Sequence, residues 1–169
     1  MIGYDSDILA KGLDVIFCGL NPALSAAIAG HNFSHVSNRF WTVLHLAGFT
    51  DVRLPPQDER RLLGYGCGIT AAVRRPTKKA TEVSPKEFRQ ARRGFAARMR
   101  YFAPRSIAFL GKGAFLAMTD QPHVTWGRQP KEFAGTAAWI LPNPSGLNRA
   151  FTLNALVSAY SELRIALEK

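Results

Sequence analysis

Three short apolar runs constrain the fold of this chain more than any other feature of its sequence. They are Val15–Gly19, Ser106–Gly111 and Ala137–Leu141, and each contains β-branched and aromatic side chains. A strand that is apolar on both faces is typical of a parallel sheet covered by helices on either side. The runs therefore predict an α/β protein and argue against an all-helical bundle.

Helical patterns lie between and after these strands. The sequence Ser84-Pro85-Lys86-Glu87 combines an N-cap residue, a first-turn proline and a capping-box glutamate, which predicts that a helix begins there. Phe88, Phe95 and Met99 then recur at helical spacing on one apolar face, and Pro104 ends the helix. Further helices are predicted at 38–47, 57–63, 113–119 and 153–167, the first two closed by Gly48 and Gly64. We therefore expect one domain, residues 1–169, folded as a three-layer α/β/α sandwich around a central, mainly parallel sheet.

Positive charge is concentrated in one segment of the chain. The sequence has 22 Lys and Arg against 12 Asp and Glu, which gives a formal net charge of +10. Eleven of these bases fall between Arg74 and Arg105, where only two acids, Glu82 and Glu87, accompany them. Such a cluster favours a nucleic acid as partner over a merely solvated helix face, because each phosphate that a base neutralises releases a counterion. The sequence leaves open whether the predicted basic helix itself contacts the nucleic acid.

The sequence contains no targeting, membrane or metal-binding pattern. Residues 1–7 carry two acids and no base, and no apolar run approaches the roughly 18 residues of a membrane span, so we expect a soluble, cytoplasmic protein without membrane contacts. Cys18 and Cys67 lie in apolar or glycine-rich runs and are interpreted as buried, reduced thiols. His31 and His35 lack an evident third ligand and are interpreted as phosphate or solvent contacts. No metal and no other cofactor is expected.

Two predicted strands end in loops that are rich in asparagine and proline. The first strand leads into Gly19-Leu20-Asn21-Pro22-Ala23, and the last leads into residues 142–149. Because proline holds the preceding residue in an extended conformation, Asn21 and Asn143 are each kept out of a helix at a strand end. Ligands of open α/β sheets bind beyond the carboxyl ends of the strands. We therefore expect both asparagine side chains to point into one crevice.

Four motifs, in this order along the chain, resemble those of the mismatch-specific uracil-DNA glycosylase and thymine-DNA glycosylase family. They are Gly19–Pro22, Gly30–Phe33 followed by Asn38–Trp41, Gly68–Thr77, and Asn143–Arg149. The resemblance extends from about Ile8 to Leu163 and implies the uracil-DNA glycosylase fold. It also implies a monomeric, monofunctional DNA glycosylase that flips uracil mispaired with guanine out of double-stranded DNA, hydrolyses its N-glycosidic bond and leaves an abasic site for base excision repair. Thymine, ethenocytosine, hypoxanthine and xanthine are further substrates that the resemblance allows.

The resemblance also implies roles for individual residues. Asn21 matches the position that orients the attacking water. An amide can place water through its carbonyl oxygen but cannot take a proton, so catalysis should be slow and should depend on N–H donors near Ala23 and Phe33 that stabilise the departing base. The implied base pocket consists of Leu20, Ala23, Ala26 and Phe33, with the flipped base stacked on Phe33. The implied DNA loop consists of Gly146, Leu147, Asn148 and Arg149, with Leu147 as an apolar wedge and Arg149 beside the orphaned guanine, supported by Asn143, Pro144 and Ser145.

Simpler interpretations of the same residues remain open. Asn21 could be a turn residue that bonds its own backbone, Leu147 could be a hydrophobic staple packed before Phe151, and Phe33 could be a core residue. At the level of function, the alternatives are a catalytically silent module that binds mismatches or abasic sites and a hydrolase of free nucleosides.

Two departures from the family pattern affect the expected substrates. Ala23 stands where the family commonly has glycine, and Ala26 occupies a position that varies between serine and alanine. A small apolar side chain at 26 should tolerate the 5-methyl group of thymine, so some thymine release is expected. The water-activating aspartate of other uracil-DNA glycosylases is absent from the motif, so high activity on single-stranded uracil is not expected.

Overall fold

A twisted sheet of five strands forms the centre of the protein in the computed structural model, which describes residues 5–168. The strands are β1 Val15–Gly19, β2 Cys67–Ala71, β3 Ser106–Leu110, β4 Gly127–Arg128 and β5 Ala137–Leu141. Their order across the sheet is β2-β1-β3-β5-β4. The first four strands in this order are parallel, and β4 pairs antiparallel with β5 at one edge. The predicted mainly parallel sheet is thereby confirmed.

Helices cover both faces of this sheet. They are α1 Leu24–Ala29, α2 Phe40–Leu46, α3 Pro85–Phe102, α4 Lys112–Met118 and α5 Leu153–Leu167, with 3-10 helices at Pro56–Tyr65 and Ala80–Glu82. Residues from α2 and α5 pack on one face of the sheet, and residues from α3 and α4 pack on the other. This arrangement is the predicted three-layer α/β/α sandwich.

Alternate side chains of the central strands enter opposite apolar layers. In β1, Phe17 packs under α2 and α5, whereas Ile16 belongs to the layer under α3 and α4. The rings of Phe17 and Phe40 meet edge to face with centroids 5.5 Å apart, and Phe95 of α3 is buried in the opposite layer. Complete burial of such a side chain contributes about 1.5–3 kcal/mol. The two-sided burial explains why the strand sequences are continuously apolar.

Strand β2 was not predicted, because its sequence does not look like a buried strand. Gly68 is the second of its five residues, and glycine inside a strand weakens strand propensity. The structure gives a reason for glycine here, since a Cβ atom at this position would lie 2.6 Å from the carbonyl oxygen of Ile8 and 2.8 Å from Cδ1 of Leu13. Ile8 forms an antiparallel bridge to Ile69 through two backbone hydrogen bonds of 2.9 Å. The glycine thus lets the amino-terminal segment pack directly on β2.

Other differences from the sequence-based prediction are local. Helix α1 and the short edge strand β4 were also missed. The segment predicted as a helix over 57–63 is a 3-10 helix over Pro56–Tyr65, and it ends at Gly66, whose φ of 76° is left-handed, rather than at Gly64. Within it, Asp58 departs from helical backbone geometry, with φ −97° and ψ 20°. Tighter i to i+3 bonding suits a short connector of this kind.

The start of α3 agrees with the prediction in part. The Ser84 hydroxyl accepts a 3.1 Å hydrogen bond from the Glu87 amide, as an N-cap residue should. The Glu87 carboxylate, however, does not complete a capping box. It accepts hydrogen bonds from Arg75 Nε and Nη2 at 3.1 and 2.9 Å, and these hydrogen bonds lower the pKa of Glu87. The ion pair therefore joins the start of α3 to the segment that follows β2.

The two cysteines are buried and free, as predicted. Burial raises the pKa of the Cys18 thiol, and it raises the pKa of Cys67 to about 12. A thiol with such a raised pKa is protonated at neutral pH and is a poor nucleophile.

Within residues 5–168, no helix is both long and apolar enough to cross a membrane. Residues 1–4, which contributed to the expectation that the chain lacks a targeting peptide, lie outside the described part of the chain.

Candidate active site

A cavity of about 590 Å³ lies at the carboxyl edge of the parallel strands. The loop after β1 contributes residues 19–23 to its lining, and the end of β2 contributes Ile69, Thr70 and Ala71. The loop after β5 contributes Asn143, Ser145, Leu147 and Asn148, and the loop between α1 and α2 contributes residues 32–35 and Asn38. The two asparagine-bearing loops therefore border one cavity, as expected, although the Asn143 side-chain oxygen bonds within its own loop.

The amide of Asn21 is held in one orientation by its nitrogen. Nδ2 donates to the carbonyl oxygen of Arg75 at 2.9 Å and to Oγ1 of Thr77 at 2.8 Å. The Thr77 hydroxyl in turn donates to the carbonyl oxygen of Lys79 at 2.7 Å. No donor among residues 5–168 bonds the Asn21 Oδ1 atom, so this oxygen is available to accept from a water molecule or a ligand. The alternative that Asn21 bonds its own backbone as a turn residue is wrong.

The segment around Thr77 has a structural role that the sequence did not reveal. Thr77 forms a parallel bridge to Ala23. The Leu24 amide donates to the Thr77 carbonyl at 2.9 Å, and the Thr77 amide donates to the Pro22 carbonyl at 3.2 Å. Arg75-Pro76-Thr77 is part of a motif noted in the sequence, but nothing in its pattern assigns it this role. Together with the side-chain bonds, the bridge fixes the loop that carries Asn21.

Phe33 borders the cavity in a strained backbone conformation. Its φ is +51°, a region that costs a non-glycine residue about 1–2 kcal/mol. Its ring stacks on Phe40 with centroids 4.1 Å apart and an interplanar angle of 24°. The backbone amides of Phe33 and Ala23 donate to no acceptor among residues 5–168. Leu20 and the buried Ala26 also line the cavity, so all four predicted pocket residues lie around it.

Leu147 projects from the tip of the loop after β5, and 90% of its surface is exposed. The alternative of a staple against Phe151 is therefore wrong, because the Phe151 ring packs edge to face on Trp126 instead, with centroids 5.2 Å apart. Side chains brace the loop from within, since Asn143 Oδ1 accepts from the Ser145 amide at 2.9 Å and Asn148 Nδ2 donates to the Asn143 carbonyl at 2.9 Å. An exposed leucine on a braced loop is available to insert its apolar side chain into a binding partner.

Arg39, at the start of α2, fixes this loop through its guanidinium and its backbone amide. Its Nη2 donates to the carbonyl oxygens of Ser145 and Asn148, both at 2.9 Å. Its Nη1 donates to the carbonyl of Phe151 at 2.7 Å, and its Nε and backbone amide donate to the carbonyl of Pro144 at 3.3 and 3.0 Å. The guanidinium thus binds carbonyls along the whole loop. Arg39 belongs to a recognised motif, but this function is visible only in the structure.

The loop after β5 also packs closely on the loop before α2. A Cβ atom at Gly146 would lie 2.5 Å from Ser37 Oγ and 2.6 Å from the Ser37 carbonyl oxygen. The absence of a side chain at Gly146 therefore permits the two loops to touch. Pro144 is buried beneath the loop, and Arg149 is exposed beyond its tip.

Several bases of the 74–105 segment are engaged in ion pairs, which offset part of their positive charge. Arg74 and Arg98 face Asp7, Arg75 pairs with Glu87, Arg92 pairs with Asp120, and Arg105 pairs with Asp14. Lys78 and Lys79, by contrast, line the cavity.

Helix α3 carries further bases towards the same edge of the sheet. Because a short connection joins its end at Phe102 to the start of β3, its first turn lies at the carboxyl edge of the strands. The Arg75–Glu87 pair places that turn beside the segment that follows β2. Lys86 and Arg89 therefore lie on the part of α3 at the same edge of the sheet as the cavity, although neither lines it, whereas Arg100 lies towards the opposite edge.

The two histidines of the loop before α2 do not form a metal pair. His31 Nδ1 is 2.9 Å from Glu59 Oε2, and His35 Nδ1 is 2.7 Å from Ser37 Oγ. Among the described residues, no group of three or more His, Cys, Asp or Glu side chains converges in a way that could hold a metal ion.

The family model of the uracil DNA glycosylase superfamily matches residues 7–164. The chain belongs to this superfamily. It is therefore a DNA glycosylase, a hydrolase of N-glycosyl bonds, and DNA is its partner.

One solved structure shares the fold of this glycosylase. It is the solution NMR structure of a protein from Methanosarcina acetivorans that was provisionally assigned as a uracil DNA glycosylase. The two chains are 16% identical and superpose with a TM-score of 0.66, over 99% of this chain and 98% of the other. At this level of identity the similarity concerns the fold.

Replacement of Arg39 by alanine tests whether its guanidinium holds the loop after β5. We expect faster amide hydrogen exchange in residues 143–151 and a loss of about 2–3 kcal/mol in unfolding free energy, because partly buried carbonyls lose charged donors. Arg39→Lys should not restore slow exchange or the lost stability, because an ammonium cannot span the same set of carbonyls. Hydrogen exchange with mass spectrometry measures the effect, and the exposed Arg60→Ala serves as control. Unchanged exchange in Arg39→Ala would contradict the assignment.

Proposed function

We propose that this chain removes uracil mispaired with guanine from double-stranded DNA and leaves an abasic site for base excision repair. One observation carries the proposal: the fixed amide of Asn21 and the exposed Leu147 border the same cavity. In this proposal, residues 1–169 act as one monomeric domain without a cofactor. Thymine, ethenocytosine, hypoxanthine and xanthine opposite guanine are further candidate substrates.

The substrate base must leave the duplex before it can reach the cavity. Extrusion costs a few kcal/mol of stacking and pairing, and the cost is lowest for a mispaired base. Leu147 fills the vacated space, where an apolar side chain replaces part of the lost stacking. Arg149, beyond Leu147, contacts the orphaned guanine, and Asn143, Pro144, Ser145, Gly146 and Asn148 shape the loop. Lys78 and Lys79 at the cavity mouth contribute phosphate contacts.

The flipped base stacks on Phe33, whose ring is supported by Phe40. Stacking of a base on an aromatic ring is worth about 1–3 kcal/mol. Leu20 and Ala26 complete the apolar wall of the pocket.

Hydrolysis depends on positioning and on stabilisation of charge. Asn21 Oδ1 accepts a hydrogen bond from water and orients it towards C1′ of the sugar, but an amide takes no proton. The free amides of Ala23 and Phe33 donate to the departing base and stabilise its developing negative charge. The reaction is therefore slow, and bases that leave readily react faster. Without a carboxylate in this position, activity on single-stranded uracil is low.

A second candidate is a catalytically silent module that binds mismatches or abasic sites. It is favoured by one observation, since no Asp or Glu among the described residues lines the cavity. A hydrolase of free nucleosides has less support, because neither Leu147 nor the lysines at the cavity mouth would serve a substrate without a duplex.

Incubation with a G·U duplex followed by alkali separates the first two candidates. We expect strand breakage by the wild-type protein and a loss of about a hundredfold or more in Asn21→Ala, because one positioned group of this type contributes about that much. Duplex binding by Asn21→Ala, measured by fluorescence anisotropy, should stay within about twofold, since Asn21 does not enter the groove. Asn154→Ala, an exposed amide on α5, is the matched control. Cleavage by Asn21→Ala at the wild-type rate would remove the water-positioning role, and wild-type binding without cleavage would favour the silent module.

The wedge role of Leu147 predicts a different phenotype. Leu147→Ala should weaken binding to abasic duplex about tenfold, because the gap opposite the guanine is no longer filled with apolar surface. Titration of labelled abasic and undamaged duplexes measures this difference. Ile165→Ala, which shortens an exposed side chain near the end of α5, should leave both affinities unchanged. Equal affinity of Leu147→Ala and wild type for abasic DNA would exclude the wedge.

The small side chain of Ala26 predicts thymine release. Wild-type protein should release thymine from a G·T duplex above background, and Ala26→Ser should lower the thymine-to-uracil rate ratio several-fold, because a hydroxyl tolerates the 5-methyl group less well than a methyl side chain does. Rates on G·T and G·U duplexes with the same protein give the ratio directly. Background-level thymine release by wild type would contradict this part of the proposal.

A further inference from the structure

Asn32 borders the cavity, and all but one of its polar atoms are bonded within the protein. Its Nδ2 donates to Glu59 Oε1 at 2.7 Å and to the carbonyl oxygen of Ser6 at 2.8 Å. Its backbone amide faces Glu59 Oε1 at 3.3 Å, and its backbone carbonyl accepts from Trp41 Nε1 at 3.2 Å. The exception is Oδ1, which receives no hydrogen bond from residues 5–168. Only 6% of Asn32 is exposed, and the residue lines the cavity.

The two acceptors around Nδ2 prevent the amide from turning over. A flipped amide would place Oδ1 against the Glu59 carboxylate and the Ser6 carbonyl, so that oxygen would face oxygen on both sides. A buried acceptor without a donor costs about 1–3 kcal/mol, and more beside a charge. The nitrogen is therefore directed into the protein and the oxygen towards the cavity. The pocket wall at Asn32 is a fixed hydrogen-bond acceptor.

The Glu59 carboxylate fixes the orientation of the Asn32 amide, and Glu59 is itself held in place by His31. Its side chain is 7% exposed, and Oε2 lies 2.9 Å from His31 Nδ1. One carboxylate oxygen thus bonds Asn32 and the other bonds His31. Buried carboxylates normally require such partners. A surface carboxylate would not need this arrangement, and Asp58, the neighbouring residue, has a side chain that is 45% exposed.

We propose that Asn32 determines base specificity by accepting a hydrogen bond through Oδ1 from an N–H group on the edge of the flipped base. A uracil or thymine attached to sugar through N1 has one N–H group, at N3, so N3–H is the donor. The inference rests on the proposed function, because it requires a flipped base in the cavity. It adds the edge of the base that is read and the residues that read it, with Glu59 and Ser6 as positioning groups.

A site that bonds a donor in this way discriminates against a base without one, because its own acceptor is then left unpaired. A base with a methyl group in place of the N3 hydrogen lacks the donor and is disfavoured. Replacement of Asn32 by alanine removes the acceptor and should remove this discrimination. The test is therefore a change in relative affinity for two ligands on the same protein.

The experiment measures binding to two G-mismatched duplexes, one with 2′-fluoro-2′-deoxyuridine and one with its N3-methyl derivative. The 2′-fluorine destabilises positive charge at the sugar, so the glycosidic bond stays intact during the measurement. The affinity ratio of the two duplexes for wild type is divided by the same ratio for Asn32→Ala, which cancels the effect of the methyl group on base pairing. A quotient of about fivefold or more is expected from the loss of one buried hydrogen bond, and a smaller value overturns the inference.

A second set of variants keeps the test decisive if Asn32→Ala does not fold, as judged by a thermal melt. Glu59→Leu removes one of the two bonds that orient the side-chain amide of Asn32, together with the acceptor of its backbone amide. Its affinity ratio should therefore fall towards that of a protein that does not discriminate between the two duplexes. Glu59→Gln retains an acceptor for Asn32 and should keep the wild-type ratio, as should the matched surface variant Asp58→Leu. Equal ratios in Glu59→Leu and Asp58→Leu would overturn the orienting role of Glu59.

Uracil release from a G·U duplex, assayed in parallel, separates this inference from the proposed function. Release by wild type together with a quotient near one means that only the inference is wrong. A quotient above about fivefold without any uracil release means that the base is recognised through Asn32 but not hydrolysed, and then only the proposed activity is wrong.

Discussion

Four parallel strands that end at one edge of the sheet are the constraint on which the candidate site depends. Since β1, β2, β3 and β5 run in the same direction, the loops that follow β1, β2 and β5 reach the same end of the molecule. The sheet is buried on both faces, so the strands cannot slide or turn without exposing an apolar layer to water. Residues far apart in sequence, such as Asn21 and Asn143, therefore border one cavity. The sheet supplies the position of the site but not the direction of its side chains.

The direction of the side chains comes from polar bonds between segments that are distant in sequence. Asn21 is oriented by Arg75 and Thr77, and Arg39 binds the carbonyls of the loop after β5. Each bond uses a side-chain donor on a backbone carbonyl or a hydroxyl, which leaves little freedom to the loop involved. A loop held in this way can keep an exposed leucine at its tip without collapse onto the core. The strained backbone of Phe33 is supported differently, by the stacking of its ring on Phe40.

Local patterns in the sequence predicted most of the fold but only part of the site. Continuous apolar runs marked β1, β3 and β5, and the cap at Ser84 marked α3, because burial and capping leave signals within a few residues. β2 was missed because Gly68 is required by the approach of Ile8, which is 60 positions away in the chain. The roles of Arg39 and Glu59 have the same origin. Arg39 binds carbonyls more than 100 positions downstream, and Glu59 bonds a side chain 27 positions upstream. No local pattern encodes a pairing of that length.

The chemistry that the cavity can support is limited by the lack of a carboxylate among the described residues that line it. Among the described residues its lining has amides, hydroxyls, lysines and one histidine but no carboxylate. Cys18 lies in the strand that leads to Asn21, and burial raises the pKa of its thiol. The buried carboxylate of Glu59 does not border the cavity and is bonded to Asn32 and His31. Under the proposed function, such a site positions water, donors and acceptors and leaves the departure of the base to the chemistry of the base itself. Under that proposed function, selectivity then arises before the bond breaks, from the ease of extrusion and from the hydrogen bonds that the pocket accepts or refuses.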